Sequence, residues 1–192
     1  MTLTDRLIAP GASRGEVALG FGASILGAAM VFGLGLHADL ELWRVAILAL
    51  VAFDMFGGAV VNATGSAKRW YHRPGRSSAH HLGFVAVHVQ PFVLAWILPG
   101  FSWLAASTIY ATALLGALLV TATPAPLRRP AAFAGTAFGI AITTGLLTVP
   151  VAAAWFAPIL LIKLLLAHLL PEEAAAHSPS GLGFGRRLRR EA

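Results

Sequence analysis

Four ionisable residues lie inside long apolar stretches of the sequence: Asp54, His88, Lys163 and His168. An ionisable side chain at the centre of a membrane-spanning helix costs at least about 2.5–3.5 kcal/mol, so each needs a partner, water or a function. Counted inward along helices, Asp54, His88 and Lys163 fall at depths of about 16, 12 and 10 Å from one surface. We therefore expect these three side chains to converge on one polar cavity.

A second set of polar residues lies nearer that surface, and it comprises Asn62, His80, His81 and His168, with Tyr71 and His72 close by. His81 and His88 are seven positions apart, which places them about 20° from the same direction on a helix. Asp54 and Asn62 share one side of their helix with Gly58, which leaves room for a neighbour or a ligand. One polar face is thus predicted on each of two helices.

The first chemistry that fits these residues is a divalent metal site. The candidate ligands are His80, His81, His88 and His168. Imidazole and carboxylate suit zinc or non-haem iron, and metal-bound water or an open coordination position would act on a lipid-like substrate. The spacing of His81 and His88 is unfavourable, because seven residues separate two backbone positions by about 10.5 Å. Helical metal pairs are usually three or four residues apart.

The second chemistry needs no metal, because Asp54, His88 and Lys163 can form a network of charges and protons. Such a network suits general acid–base chemistry on a bound lipid, and it equally suits a proton-coupled transporter or channel. A Schiff base between Lys163 and a retinal-like aldehyde and axial haem ligation by His88 are further alternatives. The sequence carries no additional motif for either.

A basic loop lies beside these groups, and it carries Arg69, Arg73 and Arg76 around Trp70 and Tyr71. Basic and aromatic residues at this position are ordinary features of a cytoplasmic membrane interface. Arginine side chains also bind phosphate through two hydrogen bonds, so the loop could steer an anionic headgroup. We expect the substrate to be bound by Asn62, Arg69, Tyr71, Arg73 and Arg76.

The elements that position these residues are predicted to be membrane helices. The chain has 192 residues, of which 57% are hydrophobic and 11% charged, and this is far from the balance of a soluble domain. Six apolar spans are predicted, at 16–36, 42–65, 80–98, 101–122, 130–148 and 150–170. The sequence has no cysteine, which excludes disulfides and thiolate sites. The basic residues flank these spans, which indicates membrane topology and no nucleic-acid partner.

Lysine and arginine accumulate in alternate connections, so both termini are predicted to be cytoplasmic in a multi-pass protein of the cell membrane. The fold class is an all-α, polytopic bundle of six transmembrane helices over residues 1–171. Residues 172–192 are predicted to form a disordered, basic cytoplasmic tail. Small residues at four-residue spacing, such as Gly20 and Ser24, predict close helix packing. Pro91 and Pro158 are predicted to interrupt their spans.

These observations favour a membrane-embedded enzyme that acts on a lipid or lipophilic substrate at a cytoplasm-facing cavity. The predicted catalytic residues are Asp54, His81, His88 and Lys163, with zinc or iron as a candidate cofactor. The expected partners are membrane lipids and a lipophilic small molecule. The alternative is a proton-coupled transporter or channel for a small solute or ion, with Asp54, His88 and Lys163 as its relay.

Overall fold

A computed structural model of the chain describes residues 9–171, and these residues form helices and connections without any strand. The α-helices are α1 (Arg14–His37), α2 (Leu42–Ala63), α3 (Gly65–Tyr71), α4 (Ser78–Ala86), α5 (Gln90–Ile97), α6 (Trp103–Ala122), α7 (Ala125–Gly145) and α8 (Phe156–Leu161). A 3₁₀ turn, Val151–Ala153, precedes α8, and a π-helical segment, Ile162–His168, continues it. We call the stretch 151–168 the C-terminal rod.

Within residues 9–171, five segments are long and apolar enough to cross a membrane: Arg14–His37, Leu42–Ala63, Ser78–Ile97, Trp103–Ala122 and Val151–His168. They support the prediction of an integral membrane protein. The predicted span at 130–148 lies in α7, which has 21 residues. It is absent from these five because Arg128, Arg129 and several small residues lower its apolarity.

The long helices run between two ends of a bundle. At one end, which we call the proline end, the turns containing Leu40, Pro99 and Pro150 line a common groove. At the other, which we call the basic end, Ala63 and Arg128 line a groove with the end of the C-terminal rod. Successive long segments, counting α4 and α5 as one, therefore cross the bundle in alternate directions.

Local sequence explains where several helices begin. The Ser13 hydroxyl accepts a hydrogen bond from the Glu16 amide, and the Glu16 carboxylate accepts one from the Ser13 amide, which caps α1. Pro91 lies in the first turn of α5, where its missing N–H costs nothing, and the chain leaves the helix between α4 and α5. The predicted interruption at Pro91 is confirmed. Pro158 likewise lies in the first turn of α8, so the span predicted at 150–170 is not one continuous helix.

The α1–α2 pair packs closely through small residues, as their spacing predicts. A Cβ atom at Gly20 would lie 2.8 Å from the Val61 side chain, and one at Gly27 would overlap the Phe56 ring. Gly57 of α2 lies directly against Ser24 of α1. Backbones this close gain dispersion energy where the membrane supplies no hydrophobic drive between helices.

Side chains of Lys68 in α3 and of His72, which follows α3, bind the end of the C-terminal rod by hydrogen bonds. The Lys68 ammonium donates to the carbonyls of Ala167 and Leu170, and the His72 ring donates to the His168 carbonyl at 2.9 Å. These bonds satisfy carbonyls that the last turn of a helix leaves free. The predicted tail of residues 172–192 lies outside the described residues, as do residues 1–8.

Candidate functional site

A cavity of about 410 Å³ lies between α1, α2, the α4–α5 break and the C-terminal rod. Its lining is part polar and part apolar, and comprises Gly20, Phe21, Ser24, Phe53, Asp54, Gly57, Gly58, Val61, Asn62, Tyr71, Phe84, Val87, His88, Gln90 and Lys163. Asp54, His88 and Lys163 therefore line one space, which is the convergence that their depths indicate.

An ion pair between α2 and the C-terminal rod forms the polar side of the cavity. Lys163 Nζ donates to Asp54 Oδ2 at 2.9 Å and to the Asp54 backbone carbonyl at 3.2 Å. The Lys163 side chain is 4% exposed and the Asp54 side chain 55% exposed. The ammonium thus lies behind the carboxylate, and it is the carboxylate that faces the cavity.

Two local features let Lys163 reach this position. A Cβ atom at Gly58 would lie 2.7 Å from Lys163 Nζ, so only glycine leaves space for the lysine stem beside α2. Lys163 also belongs to the π-helical segment. This conformation is rare in proteins as a whole, but where it occurs it is often at a functional site. The glycine and the wider helix together admit a charged side chain to the interior.

His88 lies in the α4–α5 break and is buried. Its Nδ1 is 2.7 Å from the Phe84 carbonyl oxygen. Because a carbonyl only accepts, Nδ1 carries the proton. In the neutral ring, Nε2 then carries a lone pair that can accept a hydrogen bond. Nε2 has no hydrogen-bond partner within residues 9–171. It is a candidate base, because catalysis by histidine needs a nitrogen free to take a proton.

Two amide side chains in the lining, those of half-buried Gln90 and buried Asn62, each have one enclosed atom without a hydrogen-bond partner among the described residues. Gln90 Nε2 donates to Asp54 Oδ2 at 3.4 Å, while Gln90 Oε1 has no donor among the described residues. Asn62 is 4% exposed, and its Nδ2 has no acceptor in the same part of the chain. Buried polar groups are nearly always paired, so these two atoms are the unsatisfied hydrogen-bonding groups of the site. Gln90 was not predicted, although a glutamine next to Pro91 in an apolar run was a usable signal.

The cavity opens on the side of the bundle. Among the described lining residues, the exposed ones are Phe21 of α1, Asp54 of α2 and Val87 of the α4–α5 break. We call these three residues the mouth. It lies at the level of Asp54, in the middle of an apolar helix, so it faces the region where lipid chains would lie.

Towards the proline end, apolar side chains close the cavity. One to two turns beyond the lining, Val31 of α1, Leu48 of α2 and Phe156 of α8 are fully buried. Leu94 of α5 is buried in the same core. These four apolar side chains lie between the cavity and the proline end.

His81 lies outside this cavity, in a cluster with His72 and His168 at the basic end. His72 and His81 are stacked with ring centroids 4.5 Å apart, and His81 Nδ1 is 3.2 Å from His168 Nε2. Burial lowers the pKa of His72 below the ordinary value of histidine, and the nearby Lys68 and Arg128 lower it further, against the hydrogen bond to the His168 carbonyl. Phe84 stacks on His168 at 3.8 Å and separates this cluster from His88.

The four predicted metal ligands are distributed over three places. His80 bonds to Ser77, His81 and His168 belong to the cluster, and His88 lines the cavity. Within the described chain, no three histidine, aspartate or glutamate side chains come close enough to hold one metal ion. His72 and His81 stack face to face, His72 Nε2 is bonded to the His168 carbonyl, and His81 Nδ1 and His168 Nε2 are directed at each other. The ring nitrogens of the cluster therefore share no common point.

The predicted substrate-binding residues also divide. Asn62 and Tyr71 line the cavity, whereas the lining includes neither Arg69 nor Arg73 nor Arg76. The Arg73 guanidinium lies over the Trp70 ring at 3.7 Å and donates to the Trp70 carbonyl.

Of the residues predicted to be catalytic, the cavity thus brings together Asp54, His88 and Lys163, and leaves His81 in the histidine cluster. Comparison of the chain with protein-family models, with curated proteins and with solved structures gives no match.

Proposed function

We propose that the protein is a membrane-embedded enzyme that binds a lipid or lipophilic substrate in the cavity and transforms it by acid–base chemistry. The observation that carries the proposal is that the Lys163–Asp54 pair and the bare Nε2 of His88 share one cavity with a mouth at membrane depth. A charged pair at this depth costs free energy, and ionisable residues that are kept inside a membrane protein usually belong to a functional site.

Each residue has a role that follows from its contacts. His88 takes a proton from the substrate through Nε2, because Nδ1 is committed to the Phe84 carbonyl. Asp54 faces the substrate and orients it through hydrogen bonds. Lys163 holds the carboxylate in place and compensates its charge. The proposal needs no metal, since His88 acts from the cavity without a second imidazole beside it.

Access from the bilayer explains why the mouth is lateral. A lipid chain can pass between Phe21 and Val87 without crossing an aqueous surface, and its polar end then meets Asp54. The apolar core beyond the cavity favours an enzyme over a transporter, because a transported solute needs a second route to the proline end.

The enzyme is tested by incubating the purified full chain with a membrane lipid extract and identifying changed lipids by mass spectrometry. We expect a lipid product that the His88→Gln variant does not form. His80→Gln is the matched control, because His80 lies outside the cavity, and it should form the product normally. Equal product from the wild type and from His88→Gln would refute the role of His88.

The alternative is a proton-coupled transporter or channel, and the meeting of Asp54, His88 and Lys163 in one cavity is what favours it. Proteoliposomes with an enclosed pH-sensitive dye distinguish the two functions. Proton flux that Asp54→Asn abolishes would support transport, whereas tight proteoliposomes together with a lipid product would support the enzyme.

We also propose that α7 is a sixth span and that both termini are cytoplasmic. At 1.5 Å per residue its 21 residues extend about 31 Å, which is enough for a hydrocarbon core. It also runs from the basic end to the proline end between α6 and the C-terminal rod. Since natural cysteine is absent, single cysteines at Arg76, Leu127 and Leu146 test this with an impermeant maleimide. Positions 76 and 127 should label from the cytoplasm and position 146 from outside; labelling of 127 and 146 from one side would contradict six spans.

A further inference from the structure

We propose that the substrate is a neutral lipophilic alcohol whose hydroxyl group donates a hydrogen bond to Asp54. This inference rests on the proposed function and names the substrate class of the same cavity. It concerns the hydrogen-bonding demand at Asp54, beside the mouth, where α2, the α4–α5 break and Lys163 meet.

The first step is that the accessible oxygen of Asp54 is an acceptor. Gln90 Nε2 must be the atom that faces Asp54 Oδ2, because a carboxylate only accepts. Gln90 Oε1 is buried and receives no hydrogen bond from residues 9–171. Asp54 receives its described side-chain bonds on Oδ2, from Lys163 and Gln90, so Oδ1 is available to a ligand. The ligand must therefore bring a donor.

The second step is that the donor group must be uncharged. Lys163 Nζ lies 2.9 Å from Asp54 and compensates its charge. A ligand ammonium would therefore gain little from Asp54 and would lie beside the lysine, while a ligand carboxylate or phosphate would lie beside the exposed oxygen of Asp54. Like charges this close repel strongly where water is scarce. A hydroxyl group donates its one proton to Asp54 Oδ1 without either cost.

The third step concerns the rest of the ligand. Phe21, Phe53 and Val61 form an apolar wall, which suits hydrocarbon. His88 Nε2 lines the same cavity and can accept the proton of that hydroxyl group.

The test measures binding of tritiated oleyl alcohol to the purified full chain in nanodiscs, with oleyl methyl ether, oleylamine and oleic acid as competitors. The ether keeps the chain and removes only the donor. One hydrogen bond to a charged acceptor corresponds to about tenfold in affinity or more. We expect the alcohol to bind at least about tenfold more tightly than the ether, and the double variant Asp54→Asn with Lys163→Met, which removes the charged acceptor and its counter-ion together, to reduce this ratio. His80→Gln should leave it unchanged.

A folded variant with a blocked mouth separates the possible failures. Val87 and Val89 are both exposed beside the break, but only Val87 belongs to the lining. If the ether, amine or acid binds as tightly as the alcohol, and Val87→Trp but not Val89→Trp abolishes binding, the inference of an alcohol is wrong while a lipid site in the cavity stands. If Val87→Trp leaves binding unchanged, or nothing binds, the inference and the proposed function both fail.

Discussion

Removing the charge of Asp54 should destabilise the protein more than removing the charge of Lys163. The two side chains form one ion pair at 2.9 Å, but Lys163 is 4% exposed and Asp54 is 55% exposed. The Asp54→Asn variant therefore leaves an ammonium group enclosed by protein. The Lys163→Met variant leaves a carboxylate that lines the open cavity, where water can hydrate it, and that still accepts from Gln90.

The magnitudes follow from this asymmetry. Leaving one partner of a buried ion pair costs about 3–5 kcal/mol, and a charge at the centre of a membrane helix costs about 2.5–3.5 kcal/mol. We expect a loss of about 3 kcal/mol in the free energy of unfolding for Asp54→Asn and about 1 kcal/mol for Lys163→Met. The double variant removes both charges and should lose only about 1 kcal/mol.

The assay is unfolding by sodium dodecyl sulfate in mixed micelles, followed by the fluorescence of the five tryptophans. The double-mutant cycle should give a coupling energy of about 3 kcal/mol between the two side chains. Equal losses in the two single variants, or a double variant that loses the sum of both, would refute the description of a buried ammonium behind an accessible carboxylate.

Three further predictions concern the scaffold. Gly27→Ala should lower the free energy of unfolding by about 1–3 kcal/mol, because the new methyl group meets Phe56. Gly22→Ala has open space around it and should stabilise α1 by about 0.5–1 kcal/mol. The same unfolding assay compares the two variants. Lys68→Met should lose about 1–3 kcal/mol because carbonyls of the C-terminal rod lose their donor, while Arg76→Gln should change stability by under about 0.5 kcal/mol. The pKa of His72 is lowered in the folded protein, so its contribution is present above the unfolded value of about 6.5 and is lost as the pH falls below it. Stability measured at falling pH should therefore decline less steeply in His72→Gln, and an unchanged slope would contradict this.

The helical class and the position of the cavity could be predicted from the sequence because each depends on a local property. Apolar length identifies five of the predicted spans among the described residues, and the energetic cost of charge inside them singles out Asp54, His88 and Lys163. The sixth predicted span, at 130–148, fails the same measure because the helix that contains it carries Arg128 and Arg129 near its start.

Helical phase could not predict how residues associate across the α4–α5 break. A continuous helix places His81 and His88 on one face, but the break after Ala86 turns His88 towards the cavity and leaves His81 with His72 and His168. The π-helical segment likewise gives Lys163 and His168 an angular separation different from that of an α-helix. Gln90 was not predicted because an uncharged side chain in an apolar run costs less free energy than a charged one.

The most direct test of a lipid site at the cavity is photolabelling of the full chain in bilayers with a long-chain alcohol that carries a diazirine, followed by peptide mapping. We predict that the adducts concentrate on the apolar lining, at Phe53, Val61 and Phe84, and that Val87→Trp removes them. Adducts spread evenly over exposed residues distant from the mouth, such as Leu26, Trp96 and Leu115, with none enriched in the lining, would contradict the account.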